Sequence, residues 1–347
     1  MMEKKLRIGV IGAGSFCRWH LDGINNSKHA EAVVVCDIDI EKAKLRATEY
    51  GVAEYCSDYK ELLARDDIDA VTLPLPDQEH CVVACDALRA GKHVLCEKPM
   101  ALDLDECKEM VKVARETGKQ LMVGQIGRYT PAFLKAKELL ESGAIGDLFY
   151  IESEYAHDYS RIPGSTYGDK TIPWRKTPER EPILGGGCHA LDLIRMIAGD
   201  PEEVFSYANN MSLTDWPIHD TSISVMKFPN GVIGKVFNSH GCKREYTMRS
   251  LLYGTKGTII FDNTSNKITL FKEDMIEGMD TRTLPVTIPV TVNNHNFAAE
   301  VEDFASAVLE GRTVVTDGVS GAKTVSLGVA IIESFSTGKP VKPDYDI

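Results

Sequence analysis

The sequence lacks both an excess of basic residues and an apolar run long enough to cross a membrane. Lys and Arg number 39 against 51 Asp and Glu, which gives a formal net charge of −12. Because nucleic acids and anionic membranes are bound by basic surfaces, this balance argues against either as a partner. The segment from Met1 to Gly14 is a short charged lead into a strand and does not resemble a signal peptide. We therefore expect a cytoplasmic protein.

Cysteine occurs nine times, yet the sequence contains no CxxC pair and no regular cysteine spacing. This distribution is typical of reduced thiols and argues against a disulfide scaffold. His80, Cys81 and Cys85 lie close together in sequence, but the helix predicted around them is apolar. Core cysteines explain the group better than metal ligands do, and we predict no metal site.

A glycine-rich turn follows the first predicted strand, which spans residues 5–11. Residues 12–17 read Gly-Ala-Gly-Ser-Phe-Cys and open a helix, as in the GxGxxG dinucleotide pattern with cysteine at the third glycine. Gly12 permits the tight turn, Gly14 lets a pyrophosphate approach the backbone, and the helix N-terminus supplies amide donors. The third glycine only sets helix-to-strand packing, so a small cysteine is expected to be tolerated. Gly12, Gly14, Ser15 and Phe16 are therefore predicted to bind the cofactor.

Asp37 ends the second predicted strand, 25 residues after Gly12. This spacing is close to that of the acid that accepts hydrogen bonds from the adenosine ribose hydroxyls. A carboxylate at this position repels a 2′-phosphate, and residues 38–40 offer no arginine to receive one. The sequence therefore favours NAD over NADP. The alternative role for Asp37 is to cap the next helix, but Asp39 fills that role better.

Strands and helices alternate as far as residue 124, and six strands are predicted over this part of the chain. Such alternation predicts a doubly wound parallel sheet of the Rossmann type. The sequence therefore predicts an α/β fold with an NAD-binding Rossmann domain over residues 1–125.

The alternation of strands and helices ends after residue 125. From residue 147 onward the chain has long segments in which apolar and polar residues alternate. Pro229-Asn230-Gly231 joins two of them with a tight-turn signature. We predict an α+β substrate-binding and oligomerisation domain over residues 126–347, with a large open, mainly antiparallel sheet. Helices predicted over residues 184–198 and 298–309 cover one face. Since no further helix is predicted, the other face is expected to form a homodimer or homotetramer interface.

A second motif lies at residues 92–100, which read Lys-His-Val-Leu-Cys-Glu-Lys-Pro-Met. Because Pro99 cannot donate to a strand ladder, pairing is expected to stop there and to leave Lys98 at a carboxyl end of the sheet. Ligands of open α/β sheets bind at that edge. An ammonium beside an apolar wall is destabilised toward the neutral amine, which suits proton exchange with a hydroxyl. The alternative is an ordinary solvated lysine at a strand end.

Together, the glycine turn, Asp37, the run of residues 90–94 leading into Glu97-Lys98-Pro99, and residues 297–304 resemble the glucose-fructose oxidoreductase / inositol dehydrogenase / MocA family. The resemblance covers essentially the whole chain. It implies a Rossmann domain, a C-terminal domain with a large open sheet, and NAD(P)-dependent oxidation or reduction of a sugar or polyol carbon. It also implies that the lysine of Glu-Lys-Pro lies between nicotinamide and substrate.

The family's second signature is an Asp-x-x-x-His pair that opens a helix of the C-terminal domain. Here His189 and Asp192 match the histidine and a later aspartate, but Gly185 stands where the first aspartate is expected. The resemblance makes His189 the candidate acid/base, since an imidazole titrates near working pH without much help. Asp192 could orient His189, contact substrate, or pair with Arg195 one turn along. The three glycines before His189 suggest that a ligand or another chain approaches closely.

Further candidates complete the predicted site, and packing is the alternative role for each of them. On the cofactor side they are Pro76, His80, Glu97 and Lys98. On the substrate side they are Arg128, Tyr155, His157, Trp174, Arg175 and Asp192, which follow the last Rossmann strand or precede the glycine run.

These features lead to the hypothesis of an NAD-dependent sugar or polyol dehydrogenase, in which Lys98 and His189 handle the proton of the substrate hydroxyl. One alternative is a glycoside hydrolase of the same fold that uses NAD as a transient oxidant. Another is a non-catalytic regulatory protein that binds NAD and a sugar, an interpretation supported mainly by the glycine at position 185. The fold alone does not decide among the three.

Overall fold

The computed structural model describes residues 4–161, 175, 177–273, 281 and 284–347. The described residues form two compact units. Unit 1 holds those up to Ile126 together with Asn296–Val325 and Ile347, and unit 2 holds those of Gly127–His295 together with Ser326–Asp346. The domain boundary predicted near residue 125 stays a prediction.

Fourteen strands and ten α-helices occur in the described residues. The strands are β1 (Leu6–Ile11), β2 (Ala30–Cys36), β3 (Glu54–Cys56), β4 (Ala70–Leu73), β5 (His93–Cys96), β6 (Leu121–Val123), β7 (Leu148–Ala156), β8 (Glu203–Asn209), β9 (Thr221–Lys227), β10 (Ile233–Ser239), β11 (Thr247–Gly254), β12 (Gly257–Asp262), β13 (Lys267–Lys272) and β14 (Val286–Pro289). The helices are α1 (Cys17–Asn26), α2 (Ile40–Tyr50), α3 (Tyr59–Leu63), α4 (His80–Arg89), α5 (Leu104–Thr117), α6 (Pro131–Glu141), α7 (Pro182–Gly185), α8 (Cys188–Ala198), α9 (Phe297–Glu310) and α10 (Gly318–Thr337).

Unit 1 contains a parallel sheet of six strands in the order β3-β2-β1-β4-β5-β6. This is the doubly wound arrangement predicted from the alternation of strands and helices, which is thereby confirmed. The predicted caps are also present. The side chain of Asp39 accepts hydrogen bonds at the start of α2, and that of Asp103 accepts one from the N–H of Glu106 at the start of α5. Because all six strands are parallel, their carboxyl ends lie along one edge of the sheet.

Helix α9 belongs to unit 1, although it lies far along the chain. It packs against α1 and contacts β1 and β2. A Cβ added to Gly23 of α1 would lie 2.9 Å from the carbonyl oxygen of Phe297, so the two helices are very close. The prediction that residues 298–309 cover the second sheet is therefore wrong.

Unit 2 contains an eight-stranded sheet in the order β14-β13-β12-β11-β7-β10-β9-β8. All neighbouring strands pair antiparallel except β7 and β10, which are parallel. Strands β9 and β10 form the hairpin predicted at Pro229-Asn230-Gly231, and Gly231 has a φ of +84°. The predicted large, mainly antiparallel sheet is confirmed.

One face of this sheet carries the core of unit 2. Helix α8 packs on β7 and β10, and α6 packs on β12. Along β9 buried and exposed side chains alternate, so Ile223 and Val225 point away from the core, and Tyr207 and Ile233 on the adjacent strands are exposed as well. The sheet thus presents apolar side chains on its outer face.

Three elements were not expected. Strands β8 and β14 form the edges of the larger sheet, and α10 contradicts the expectation that no further helix remains. The helix predicted over residues 184–198 is two helices, α7 and α8, separated at Gly186 and Gly187. Among the described residues, no helix has both the length and the apolar character needed to span a membrane.

Candidate functional site

The turn between β1 and α1 requires glycine at its first position. Gly12 has a φ of +108°, and a Cβ there would lie 2.7 Å from the carbonyl oxygen of Pro74. Its N–H donates to the carbonyl oxygen of Cys36 at 2.7 Å, which ties the turn to the end of β2. Glycine tolerates both the backbone conformation and the close approach.

The residues that follow in the turn face solvent. Gly14 and Ser15 are exposed, and a Cβ on Gly14 would meet nothing within 4 Å. Helix α1 has Phe16 at its N-cap, no side-chain cap from the described residues and no acidic residue in its first turn. The amide groups at this helix end therefore suit an anion. Cys17, at the third glycine of the pattern, is buried, as its packing role requires, and burial raises the pKa of its thiol to about 12.

Asp37 is fixed at the end of β2 by two backbone donors. Its Oδ2 accepts a hydrogen bond from the N–H of Ala13 at 2.7 Å, and its Oδ1 accepts one from the N–H of Asp39 at 2.9 Å. The half-buried carboxylate therefore lies against the glycine turn. Each carboxylate oxygen has a further lone pair with which to accept a hydroxyl.

These features together fit a dinucleotide. The exposed Gly14 and the uncapped start of α1 would hold the pyrophosphate, and Asp37 would accept hydrogen bonds from the adenosine ribose. The donor and acceptor types therefore match the group that the sequence pattern predicts.

Lys98 follows β5 and is half-buried, with its Nζ 5.9 Å from the centroid of the Phe16 ring. The neighbouring Glu97 is buried, and its Oε2 accepts the N–H of Lys98 at 3.0 Å. Its Oε1 lies 3.0 Å from Nε2 of His20, whose Nδ1 in turn contacts the hydroxyl of Thr72. Burial opposes ionisation of Glu97, but the His20 hydrogen bond and the Lys98 charge lower the pKa of Glu97 to about 2. Glu97 is therefore a buried anion that holds the backbone of Lys98 in place.

Pro76 and His80 lie at the end of β4 and the start of α4. Pro76 is half-buried and precedes a short 3-10 turn, Asp77–Glu79. His80 is fully buried, with Nδ1 2.9 Å from the carbonyl oxygen of Pro99 and Nε2 3.2 Å from that of Leu75. These contacts link His80 to the turn that carries Lys98, which supports a packing role. A cofactor contact for either residue stays a prediction.

In unit 2, His189 lies in the first turn of α8 within a group of rings. It is buried, and its ring stacks on that of Tyr155 with centroids 5.9 Å apart. The hydroxyl of Tyr155 lies 3.0 Å from Nδ1 of His157, and the hydroxyl of Tyr246 lies 3.1 Å from Nε2 of His295. Burial, reinforced by neighbouring tyrosines, raises the pKa of Tyr155 well above its usual range. The cluster thus combines aromatic faces with imidazoles and neutral phenols, a composition suited to binding polar ring compounds.

Arg128 and Asp192 form an ion pair in the same unit, in which Asp192 is buried and Arg128 is half-buried. The guanidinium donates through Nε at 2.9 Å and through Nη2 at 2.7 Å to the two carboxylate oxygens. Arg195 pairs with Asp200 at 2.7 Å, and a pairing of Asp192 with Arg195 stays a prediction. Arg128 therefore fixes the orientation of Asp192.

Gly185, which replaces the aspartate of the family signature, packs against Arg180. A Cβ at this position would lie 2.7 Å from Cζ of the Arg180 guanidinium. Arg180 is buried, so a guanidinium occupies the space into which an aspartate side chain would extend. With glycine at position 185, the Arg180 guanidinium thus lies where the family signature has an aspartate carboxylate.

The other glycines before His189 also touch side chains of their own unit. A Cβ on Gly186 would lie 2.6 Å from Cζ of Tyr155 and 2.7 Å from Nε2 of His240, and one on Gly187 would lie 2.8 Å from Oδ1 of Asn238. Side chains of unit 2 itself therefore make the close approach seen at Gly186 and Gly187, and the predicted approach of a ligand or another chain stays a prediction.

Two substrate candidates remain. Arg175 is half-buried, and Trp174 lies outside the described residues. Sequence reasoning missed His20 in unit 1 and Arg180, His240, Tyr246 and His295 in unit 2. Of these, His20 had a local signal, because it stands on the buried, apolar face of α1.

Comparison with known proteins agrees with this description. The profile described as "Oxidoreductase family, NAD-binding Rossmann fold" matches residues 6–125, and the "GFO/IDH/MocA C-terminal domain" profile matches residues 133–260. The chain belongs to the Gfo/Idh/MocA oxidoreductase family. The resemblance inferred from the motifs is thereby confirmed, as is an NAD-binding Rossmann fold.

Relatives within the Gfo/Idh/MocA family extend over nearly the whole chain. Myo-inositol 2-dehydrogenase of Thermotoga maritima is 26% identical, with 97% of this chain and 98% of that protein covered. The uncharacterised oxidoreductase YrbE of Bacillus subtilis is 27% identical, with 99% and 98% covered. Among solved structures, levoglucosan dehydrogenase in complex with NADH has a TM-score of 0.90 at 22% identity and covers 98% of this chain and 100% of its own.

Proposed function

We propose that the protein is an NAD-dependent dehydrogenase that transfers hydride between nicotinamide and a carbinol carbon of a sugar, polyol or sugar derivative. The observation that carries this proposal is the arrangement at the end of β5. There a buried, ionised Glu97 holds Lys98 beside the glycine turn of an NAD-binding Rossmann sheet. The names of the relatives, an inositol dehydrogenase and a levoglucosan dehydrogenase, support a polyhydroxylated substrate.

NAD, when bound, supplies the hydride acceptor or donor. The residues of the chain supply orientation and a path for the proton. Glu97 and His20 fix the backbone from which the Lys98 ammonium projects, and Lys98 exchanges the proton of the substrate hydroxyl. His189, stacked on Tyr155, is the proposed second proton-handling group. Arg128, Asp192, Tyr155, His157, Trp174 and Arg175 are the proposed substrate-binding residues.

The proposed preference for NAD over NADP depends on Asp37. Its carboxylate is held against the glycine turn by two backbone donors, so it does not swing away readily from a 2′-phosphate. The next residue, Ile38, is almost fully exposed and offers no positive charge. Repulsion of the phosphate without a compensating cation favours NAD.

A homodimer or homotetramer through the outer face of the eight-stranded sheet is also proposed. Exposed apolar side chains on that face, including Tyr207, Ile223, Val225 and Ile233, support it. A cytoplasmic location is supported by the cysteines, because all nine are free thiols.

The test is to incubate the purified protein with NAD or NADP and a panel of inositols, anhydrosugars, free sugars, sugar acids and aryl glycosides, following reduced cofactor and aglycone separately. We expect reduced cofactor with at least one polyhydroxylated substrate, and faster with NAD. Lys98→Met should lower kcat by about 10²- to 10⁴-fold, the usual worth of a general acid/base, and leave NAD affinity unchanged.

The matched control is Lys112→Met, which removes an exposed lysine of α5 and should leave turnover unchanged. Normal turnover in Lys98→Met would remove Lys98 from the mechanism. Aglycone release without reduced cofactor would indicate the glycoside hydrolase, and bound NAD without either product would indicate a regulatory protein.

A further inference from the structure

A chain of three buried polar side chains leads to Lys98. It consists of Thr72 in β4, His20 in α1 and Glu97 after β5. The hydroxyl of Thr72 contacts Nδ1 of His20, and Nε2 of His20 lies 3.0 Å from Oε1 of Glu97. Oε2 of Glu97 accepts the N–H of Lys98 at 3.0 Å. Hydrogen bonds therefore connect β4 to the backbone of Lys98 without a gap.

These contacts indicate where each proton lies. The Lys98 N–H can only donate and an ionised Glu97 can only accept, so Nε2 of His20 is the second donor to Glu97. A neutral imidazole with its proton on Nε2 has an acceptor at Nδ1. The Thr72 hydroxyl, whose hydrogen rotates to suit its partner, donates to that nitrogen. Both side-chain donors thus point toward Glu97.

Two other states of His20 fit the same contacts less well. With the proton on Nδ1, two acceptors, Nε2 and the Glu97 carboxylate, would face each other at 3.0 Å. As an imidazolium, His20 would donate at both nitrogens, and the Thr72 hydroxyl has no other hydrogen-bond partner among the described residues. A buried donor without an acceptor is costly. The neutral Nε2–H tautomer is the state that satisfies all three groups.

The imidazole ring is held from a second side by α9. The ring of Phe297 packs on that of His20 with centroids 5.3 Å apart, and His20 is 0% exposed. Because the surroundings are closely packed, they oppose a turn of the ring that would exchange its two nitrogens. Packing therefore sets the plane of the ring, and Thr72 sets which nitrogen carries the proton.

We propose that Thr72 is a positioning residue for Lys98. Its hydroxyl keeps His20 in place as the Nε2–H tautomer, and this tautomer supplies the donor that orients the Glu97 carboxylate toward the Lys98 backbone. The proposal rests on the proposed proton-handling role of Lys98. No proton passes along the chain during turnover, because the chain ends at a backbone N–H.

The substitution Thr72→Val removes the hydroxyl and leaves the shape of the side chain almost unchanged. Nδ1 of His20 is then a buried acceptor without a donor, which is unfavourable. The ring relieves this by moving toward a new partner or by admitting water, and Glu97 and Lys98 move with it. Since a displaced proton-handling group reacts more slowly, kcat should fall.

The experiment compares wild type with Thr72→Val and with Thr72→Ser, which retains the hydroxyl. Thr117→Val is the matched control, because the Thr117 hydroxyl donates to the carbonyl oxygen of Val113 within its own helix. Nitrogen NMR of protein labelled in its histidine rings reports the proton on each nitrogen without turnover, and a His20→Gln variant identifies the His20 signals. The kcat, the KM and the affinity for NAD are measured with the substrate found above.

We expect wild-type His20 to carry a proton on Nε2 alone, with Nδ1 as an acceptor that receives a hydrogen bond. In Thr72→Val the Nδ1 signal should shift to that of an acceptor without a donor. Its kcat should fall about tenfold, while KM and NAD affinity stay within about threefold of wild type. Thr72→Ser and Thr117→Val should match wild type in the NMR signals and lie within about threefold of it in kcat.

A proton on Nδ1 of wild-type His20, alone or together with one on Nε2, would overturn the proposal even if a variant does not fold. An unchanged kcat in Thr72→Val would also overturn it. An equal loss in Thr72→Ser would do the same, because the effect would then come from side-chain shape and not from the hydroxyl. Normal turnover of Lys98→Met would instead refute the proposed function, whatever the state of His20.

Discussion

Two turns, one in each unit, are rich in glycine, but the physical reason for glycine differs between them. In the turn before α1, Gly12 has a φ of +108° and Gly14 faces open space. In the turn before α8, Gly186 and Gly187 have no positive φ, and their missing side chains make room for Tyr155, His240 and Asn238. A glycine run therefore indicates close approach, but the sequence alone does not show whether a ligand or a side chain approaches.

The largest effect is expected at Gly12, where backbone strain and a contact with backbone act together. Gly12→Ala should lower the free energy of unfolding by about 3 kcal/mol and reduce NAD affinity, because the turn must move to relieve both. Urea denaturation with and without NAD measures the two effects. Gly51→Ala is the control, since Gly51 has a φ of +71° but open space around it. Equal costs for the two variants would show that the contact with Pro74 contributes nothing.

Gly186→Ala should have a smaller effect of a different kind. The added methyl group would contact the Tyr155 and His240 rings, and overpacking of this type costs about 1–3 kcal/mol. NAD affinity should be unchanged, while KM for the substrate rises. Gly127→Ala serves as the control, because a Cβ there makes only ordinary contacts with Phe133. A change in NAD affinity with no change in stability would contradict the assignment of this turn to side-chain packing.

The smallest change in stability is expected at Gly14, within about 0.5 kcal/mol, because a methyl group there points into open space. If this is where a pyrophosphate approaches the backbone, Gly14→Ala should nevertheless weaken NAD binding by about tenfold, or about 1.4 kcal/mol. Fluorescence titration with NAD provides the affinity, and thermal unfolding without NAD provides the stability. Unchanged affinity would place the pyrophosphate elsewhere.

The sequence predicts the parallel sheet of unit 1 well because the signals of this part of the chain are local. A strand, a glycine turn and a helix follow each other within about twenty residues, and the acid at the end of β2 lies at a regular spacing. The N-caps at Asp39 and Asp103 depend on side chains that bond two or three residues ahead. Each of these features can be recognised without knowledge of the tertiary structure.

The missed elements depend on contacts between distant residues. Helix α10 is rich in glycine, serine and β-branched residues, which are poor helix formers. Two of its glycines permit close packing, Gly321 against Val123 in unit 1 and Gly328 against Leu184 in unit 2. The candidate site of unit 2 also depends on contacts between distant residues, because Arg180, Tyr246 and His295 come from separate segments. No short motif connects them to His189.

The return of α9 to unit 1 has a consequence for how the protein is made. The buried surface of α1 around His20 and Gly23 is covered by residues about 280 positions further along the chain. During synthesis, the parallel sheet can therefore assemble long before α1 has its final partner. The order of events on the ribosome then matters, because Phe297 and Glu300 reach their places only after almost all of unit 2 has been translated.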